Sequence, residues 1–255
     1  MTEPSPEPGR HLRLDRLLAN MGYGSRREIQ KLVRAGRILL DGARPAAADQ
    51  RVAVTPDLSS RMTVDGRPLD PPPGLALMLN KPLGVTCSHK ESGPLVYGLL
   101  PPRWRGRDPM ISTVGRLDKE TSGLLLMTDD GELLHRIISP RRQIAKRYRV
   151  SLERALAGNV AEVFASGTLM LESEDKPLNP ALLEPIGERE AFLTITEGRY
   201  HQVRRMFAAT GNHVTALHRD RIGSLELPAD LEAGRYRVLT EAEIGAVIGA
   251  AGAPW

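Results

Sequence analysis

Gly115-Arg116-Leu117-Asp118-Lys119-Glu120-Thr121-Ser122-Gly123-Leu124-Leu125-Leu126-Met127-Thr128-Asp129-Asp130-Gly131-Glu132-Leu133 sets one carboxylate, Asp118, in a glycine-bounded loop directly before an apolar strand. Most loop aspartates only bond neighbouring backbone N–H groups. This one has other support. Gly115 and Gly123 let the backbone turn sharply on either side, Arg116 places a cation two residues away, and Thr121 and Ser122 offer hydroxyls that orient the loop. Leu124 to Thr128 after the loop and Ile111 to Val114 before it read as strands, so the carboxylate stands at the edge of a sheet.

Working outward, Leu75 to Leu79 reads as a buried strand, and Lys146 to Leu152 and Phe192 to Thr196 alternate apolar with polar residues. Helices are fewer: Glu132 to Ile138 closed by Pro140, and His201 to Ala209 closed by Gly211. Strands outnumber helices without alternating strictly with them. A mixed, mainly antiparallel sheet of the α+β class follows, rather than a doubly wound fold.

The N-terminal part differs in kind. Residues 1–9 are rich in Pro and Glu and read as a disordered tail. Leu14, Leu17, Leu18 and Met21 then recur at helical spacing, and a second helix starts after Ser25, a natural N-cap, with Ile29, Leu32 and Val33 inward. That helix presents Arg26, Arg27, Lys31 and Arg34 on its outer side. From Arg10 to Arg44 the chain holds nine Lys/Arg against three Asp/Glu, a local +6 where the whole chain of 255 residues carries +4; this density favours phosphate contact. Short strands follow at Arg37–Gly42, around Val52 and at Met62–Val64. The expected domains are therefore an RNA-gripping module at 10–70, a stiff linker through Pro71-Pro72-Pro73-Gly74, a second domain at 75–245, and a loosely held tail at 246–255.

Composition is that of an ordinary soluble protein, 41% apolar and 26% charged, without a secretory leader or a membrane-length apolar run. The expected location is the cytoplasm and the expected state a monomer. One cysteine, Cys87, offers no disulfide and no metal-site spacing. His213 and His218 lack convergent partners for a metal. Asp129 and Asp130, being adjacent, cannot face each other across a glycosidic bond. A second Arg-Leu-Asp triplet, Arg13-Leu14-Asp15, lies in a helical stripe, so Asp15 is expected at the surface near a helix start.

The Asp118 loop, with Leu79-Asn80-Lys81-Pro82-Leu83-Gly84 before it and Lys146-Arg147-Tyr148 and Glu197-Gly198-Arg199-Tyr200-His201-Gln202-Val203-Arg204-Arg205-Met206-Phe207 after it, resembles the RsuA family of ribosomal RNA pseudouridine synthases. The order of the motifs is the family's, and the N-terminal module resembles its S4 domain. The resemblance runs from about Arg10 to Ile244. It implies a cofactor-free, metal-free isomerisation of uridine to pseudouridine in ribosomal RNA, naked or in a partly assembled particle. Tyr200 to Val203 and Ala208 to Val214 look most like the small-subunit branch, whose target is the uridine at position 516 of 16S ribosomal RNA. The alternatives are a large-subunit target and a catalytically silent assembly factor, which would have no need to keep a carboxylate facing a polyanion.

The resemblance also distributes roles. Asp118 acts on the ribose, either attacking the sugar carbon or removing a ribose proton. Tyr148 is the platform for the uracil and the candidate base at C5, though without the family it would read as strand filler. Arg204, often Lys in relatives, is expected to pair with Asp118 and keep it ionised. Arg116 is expected to help turn the target nucleotide out of its stack. His201, Gln202 and Arg205 should line the approach and contact phosphate or sugar, while Lys81 and Pro82 shape the cleft floor.

Overall fold

The computed structural model describes residues 10–89 and 91–250; the expected tail at 1–9 and residues 251–255 lie outside it. The chain divides into two compact units. The first runs to Leu75 and also takes in Leu100–Ser112 and Thr128–Asp130, two stretches that fall within the second domain expected from the sequence. The second holds Ala76–Leu99, Thr113–Met127 and the chain from Gly131 onward. No helix among the described residues is long and apolar enough to cross a membrane.

In the first unit β1 (His11–Arg13), α1 (Leu14–Asn20), α2 (Arg26–Arg34), β2 (Ile38–Leu40), β3 (Arg51–Ala53), α3 (Leu58–Arg61), β4 (Met62–Val64) and β5 (Arg67–Pro68) follow in order. β1 pairs with β3, and β2, β4 and β5 form an antiparallel sheet. The helical stripe closes a core of Leu14, Leu17, Leu18 and Met21 against Ile29, Val33, Ile38 and Met62. Ser25 caps α2 through a reciprocal box with Glu28, an arrangement that contributes about 1 kcal/mol. Asp15 corrects the sequence reading: it is fully buried, and its carboxylate accepts from Arg13 at 3.1 Å and Arg26 at 2.9 Å. Burial acts to raise its pKa, but the two guanidiniums hold it below the ordinary carboxylate range. The segments that join from later in the chain are fastened by a buried ion pair, Arg107 to Asp129 at 2.8 Å, with Asp129 also accepting from the Gly74 N–H. Asp129 is therefore structural.

The second unit is built on a mixed sheet that combines antiparallel pairings with a parallel one near its centre. Its elements are β6 (Ala76–Lys81), β7 (Ser112–Val114), β8 (Ser122–Thr128), α4 (Gly131–Ile138), β9 (Lys146–Leu152), α5 (Val160–Ala165), β10 (Leu182–Gly187), β11 (Glu190–Ile195), α6 (Gln202–Ala209), β12 (Val214–Ile222), β13 (Leu225–Glu226), β14 (Tyr236–Val238) and α7 (Glu241–Gly249). The strand order is β10-β11-β9-β12-β8-β6-β14, with β7 on β8 and β13 on β12. β12 lies antiparallel to β9 and parallel to β8, so the strand after the Asp118 loop is paired with a partner almost a hundred residues away. Ala76, Met78, Leu124, Leu126 and Ile222 pack with Leu133 and Ile137 of α4 and Val247 of α7. Helix α7 overturns the expected loose tail at 246–255 as far as it is described. Thr240 and Glu243 form a capping box at its start, and Val247 is buried.

Candidate active site

The Asp118 loop spans the gap between β7 and β8. Gly115 (φ +72°) and Gly123 (φ +105°) both take up left-handed backbone. At Gly123 the requirement is steric as well, since a Cβ there would stand 2.2 Å from the Arg219 carbonyl oxygen on β12. This glycine lets two parallel strands meet.

Two cations fasten the loop by its backbone. Lys81 at the end of β6 is fully buried, and its Nζ donates to the carbonyls of Thr121 (2.8 Å), Asp118 (3.0 Å) and Pro82 (3.1 Å). Burial pushes its pKa below the ordinary lysine value. From α6, Arg204 donates through Nη2 to the Glu120 carbonyl at 2.8 Å and through Nη1 to the Val214 carbonyl at 2.9 Å. The Gly84 N–H adds a bond to the Lys119 carbonyl. Every backbone carbonyl from Asp118 to Thr121 thus has a donor from outside the loop.

Arg204 therefore does not pair with Asp118 as the sequence reading expects; its guanidinium is spent on main-chain oxygens. Among the described residues, the only basic side chain within 4.0 Å of the Asp118 carboxylate is His201, with Nε2 3.5 Å from Oδ1. His201 sits in left-handed backbone (φ +47°) just before α6 and stacks on the exposed ring of Tyr200 at 3.9 Å. Both Asp118 and His201 keep more than a third of their side chains open to solvent.

A cleft of about 310 Å3 brings together Arg116, Asp118, Tyr148, His201 and Leu217. Arg116 is exposed at its rim. Tyr148 is buried in β9, and its hydroxyl accepts from Arg219 Nη1 at 3.3 Å. Arg219, 2% exposed and opposite Tyr148 in the strand register, also donates from Nε to the Leu124 carbonyl at 2.8 Å. Sequence reasoning missed it, because the charged run His218-Arg219-Asp220-Arg221 hides the strand that carries it.

Two of the expected RNA contacts are occupied by protein. Gln202 is buried, accepting from the Arg199 N–H and donating to Glu197, which fixes the turn before α6. Arg205 is tied to Glu174 at 2.8 Å and to the carbonyls of Tyr200 and Glu172. In the first unit Arg27, Lys31 and Arg34 stand exposed along α2, whereas Arg26 is exposed but held by Asp15. His218 is engaged by the Ser122 hydroxyl at 2.9 Å.

Comparison with known proteins agrees with this geometry. The family model described as RNA pseudouridylate synthase matches residues 76–209, and the S4 domain model matches residues 12–52. The chain belongs to the RNA pseudouridylate synthase family. The synthase is 44% identical to the Escherichia coli ribosomal small subunit pseudouridine synthase A over 93% of this chain and 100% of that protein. It is 40% identical to the uncharacterized RNA pseudouridine synthase YtzG of Bacillus subtilis, over 91% of this chain and 97% of that one. A crystal structure of a pseudouridylate synthase superposes with a TM-score of 0.65 at 37% identity, covering 92% of this synthase and 99% of that chain.

Proposed function

We propose that this synthase converts uridine to pseudouridine at a single position of the small-subunit 16S ribosomal RNA in the cytoplasm, needing no cofactor. The observation that carries the reading is the Asp118 loop: its backbone oxygens are taken by Lys81 and Arg204, while its carboxylate opens into the cleft that Tyr148 lines. A carboxylate so held is preorganised to act on a ribose brought to it, which is where most of the rate can come from when the reaction imports no group. The small-subunit assignment draws on the printed name of the Escherichia coli relative.

In this reading Arg116 at the rim enters the space left when the target nucleotide leaves its stack. Asp118 acts at the ribose, Tyr148 supports the freed ring and accepts the C5 proton, and His201 approaches the sugar from the α6 side. Arg204 is a positioning residue, holding the loop rather than the carboxylate. The exposed face of α2 takes the phosphate backbone.

The test is tritium release from 5-tritiated uridine in 16S ribosomal RNA, naked and loaded with small-subunit proteins, and in 23S RNA, for the parent and Asp118→Asn. Release from 16S RNA by the parent alone, mapped to position 516, is the expected result. Release from 23S RNA alone would move the target to the large subunit. Silence from both proteins with RNA still bound would leave a binding factor.

A further inference from the structure

Between α5 and β10 the chain makes a loop, residues 169–178, that the chemistry above does not use. It closes on itself through the Leu178 N–H, which donates to the Leu169 carbonyl at 2.9 Å, and Leu171 and Leu178 are buried. The loop carries Glu174, a part-buried carboxylate set between two guanidiniums. Arg205 Nη1 donates to its Oε1 at 2.8 Å, and Arg199 Nη1 to its Oε2 at 3.2 Å. Hydrogen bonding from Arg205 above all, joined by Arg199, holds Glu174 below the ordinary carboxylate range although desolvation opposes it. The two arginines are not equally dependent on it. Arg199 has a second carboxylate, Glu197 at 3.2 Å, whereas Arg205 has no other within 4.0 Å among the described residues.

The two arginines flank the Tyr200-His201 turn, whose backbone is demanding. His201 is left-handed, with φ +47°, a conformation that a non-glycine residue keeps only where its surroundings over-determine it. Packing contributes little to that, because Tyr200 is 73% exposed and His201 keeps more than a third of its side chain open to solvent. Hydrogen bonds must hold the turn instead. Gln202 ties its start, accepting from the Arg199 N–H at 2.9 Å, and Arg205 Nη1 donates to the Tyr200 carbonyl at 3.2 Å. The nitrogen that holds Tyr200 is thus the one that Glu174 holds.

We propose that Glu174 is a positioning residue for the isomerisation: it fixes the Arg205 guanidinium, which fixes the Tyr200 carbonyl, which sets His201 against Asp118. The inference rests on the reading that the Asp118 cleft isomerises uridine. Glu174 does not line that cleft and touches no reacting atom. It supplies, from a loop, the rigidity that His201 lacks because no helix or strand carries it. Nor is Glu174 a stand-in for an RNA phosphate. The same guanidiniums also donate to the main-chain carbonyls of Glu172, Lys176 and Pro177, so they are not free to follow an anion away from the loop.

The test is a double-mutant cycle in single-turnover rate, with the parent, Glu174→Gln, His201→Ala and the two changes combined, on 16S RNA. Nucleoside chromatography of the digested RNA gives the rate, and filter binding gives RNA affinity. Glu174→Gln should lose about 10- to 10²-fold in rate, the scale of a small misplacement in the site, with affinity held. The combined variant should be no slower than His201→Ala, because a residue that acts only through His201 has nothing left to position. Glu174→Asp, which keeps the charge, should recover part of the loss. Losses that multiply in the combined variant would show that Glu174 acts independently of His201 and overturn the proposal. A parental rate in Glu174→Gln would do the same, as would tighter RNA binding without a change in rate, the mark of a carboxylate occupying a phosphate site.

If Glu174→Gln does not fold, Arg205→Lys decides the matter. A lysine keeps the cation but cannot span Glu174 and the carbonyls of Glu172 and Tyr200 together, so it should show the same loss and the same lack of additivity with His201→Ala. Multiplying losses there would again overturn the proposal. Asp118→Asn keeps the underlying reading separate. Activity in that variant would overturn the reading of the cleft, whereas its silence beside a failed cycle would overturn the role of Glu174 alone.

Discussion

The two units use cations in opposite ways. On α2 the charges of Arg27, Lys31 and Arg34 stand in solvent, close together and without carboxylate partners among the described residues. In the second unit Lys81, Arg204 and Arg219 turn inward and end on main-chain carbonyls. The first arrangement gives long-range attraction and tolerates imprecision, because a phosphate can be met from many angles. The second gives position: a buried donor on a carbonyl is directional, and its loss strands a buried oxygen. Counting basic residues in the sequence cannot separate the two, because only the folded chain shows which charges meet solvent and which meet main-chain oxygens.

The comparison breaks most visibly at Lys81. Lys81→Met takes the Lys81 donor from the carbonyls of Pro82 and Thr121 and leaves Asp118 with the Thr121 N–H alone, and should lower unfolding free energy by about 3–5 kcal/mol and abolish isomerisation. Urea denaturation followed by circular dichroism measures the first; a loss under 1 kcal/mol would mean that solvent replaces the amine. Next comes Arg204→Met, which frees Glu120 and so lets Asp118 drift; the single-turnover rate should drop about 10²-fold while RNA affinity holds. A rate within twofold of the parent would show that Lys81 alone suffices.

On the other side of the comparison, replacing Arg27, Lys31 and Arg34 together by Ala should weaken RNA binding and flatten the plot of log affinity against log salt by about 2–3 units. The defect should appear in KM. An unchanged salt slope would remove this helix from the RNA contact. The smallest effect belongs to the Arg237–Glu243 pair at the start of α7. Hydrogen bonding from Arg237 above all holds Glu243 at about 2, against an ordinary 4.5. Its contribution is present above pH 4.5 and is lost as the pH falls toward 2. Both side chains are part-exposed, so Glu243→Gln should cost less than about 1 kcal/mol, seen as a small drop in melting temperature at pH 7 that disappears near pH 2.

Much of this arrangement is legible in the sequence where local chemistry decides it. Ser25 announces α2, the alternation from Lys146 to Leu152 is β9, and the glycines around Asp118 do bound a turn. What escaped depends on distant partners. β12 carries charge through its middle because Arg219 is sheltered between two neighbouring strands, which no window of sequence can reveal. Gln202 and Arg205 read as free polar groups until Glu197 and Glu174 fold against them. The sequence brings Arg204 to the cleft but not to its target: the oxygens it serves belong to main chain at Glu120 and Val214. Glycine and alanine around Gly245 and Gly249 mask helix α7 in the sequence, although Thr240 caps it in the structure.

The bonds that fasten the Asp118 loop join residues far apart along the chain, Lys81 to Thr121 and Arg204 to Glu120. Contacts of that span close late when a protein folds, after local helices and hairpins have formed. Isomerase activity is therefore a clock for completed folding. A chain stopped before the helix of Arg204 has docked would hold all of its local structure and still leave every uridine untouched.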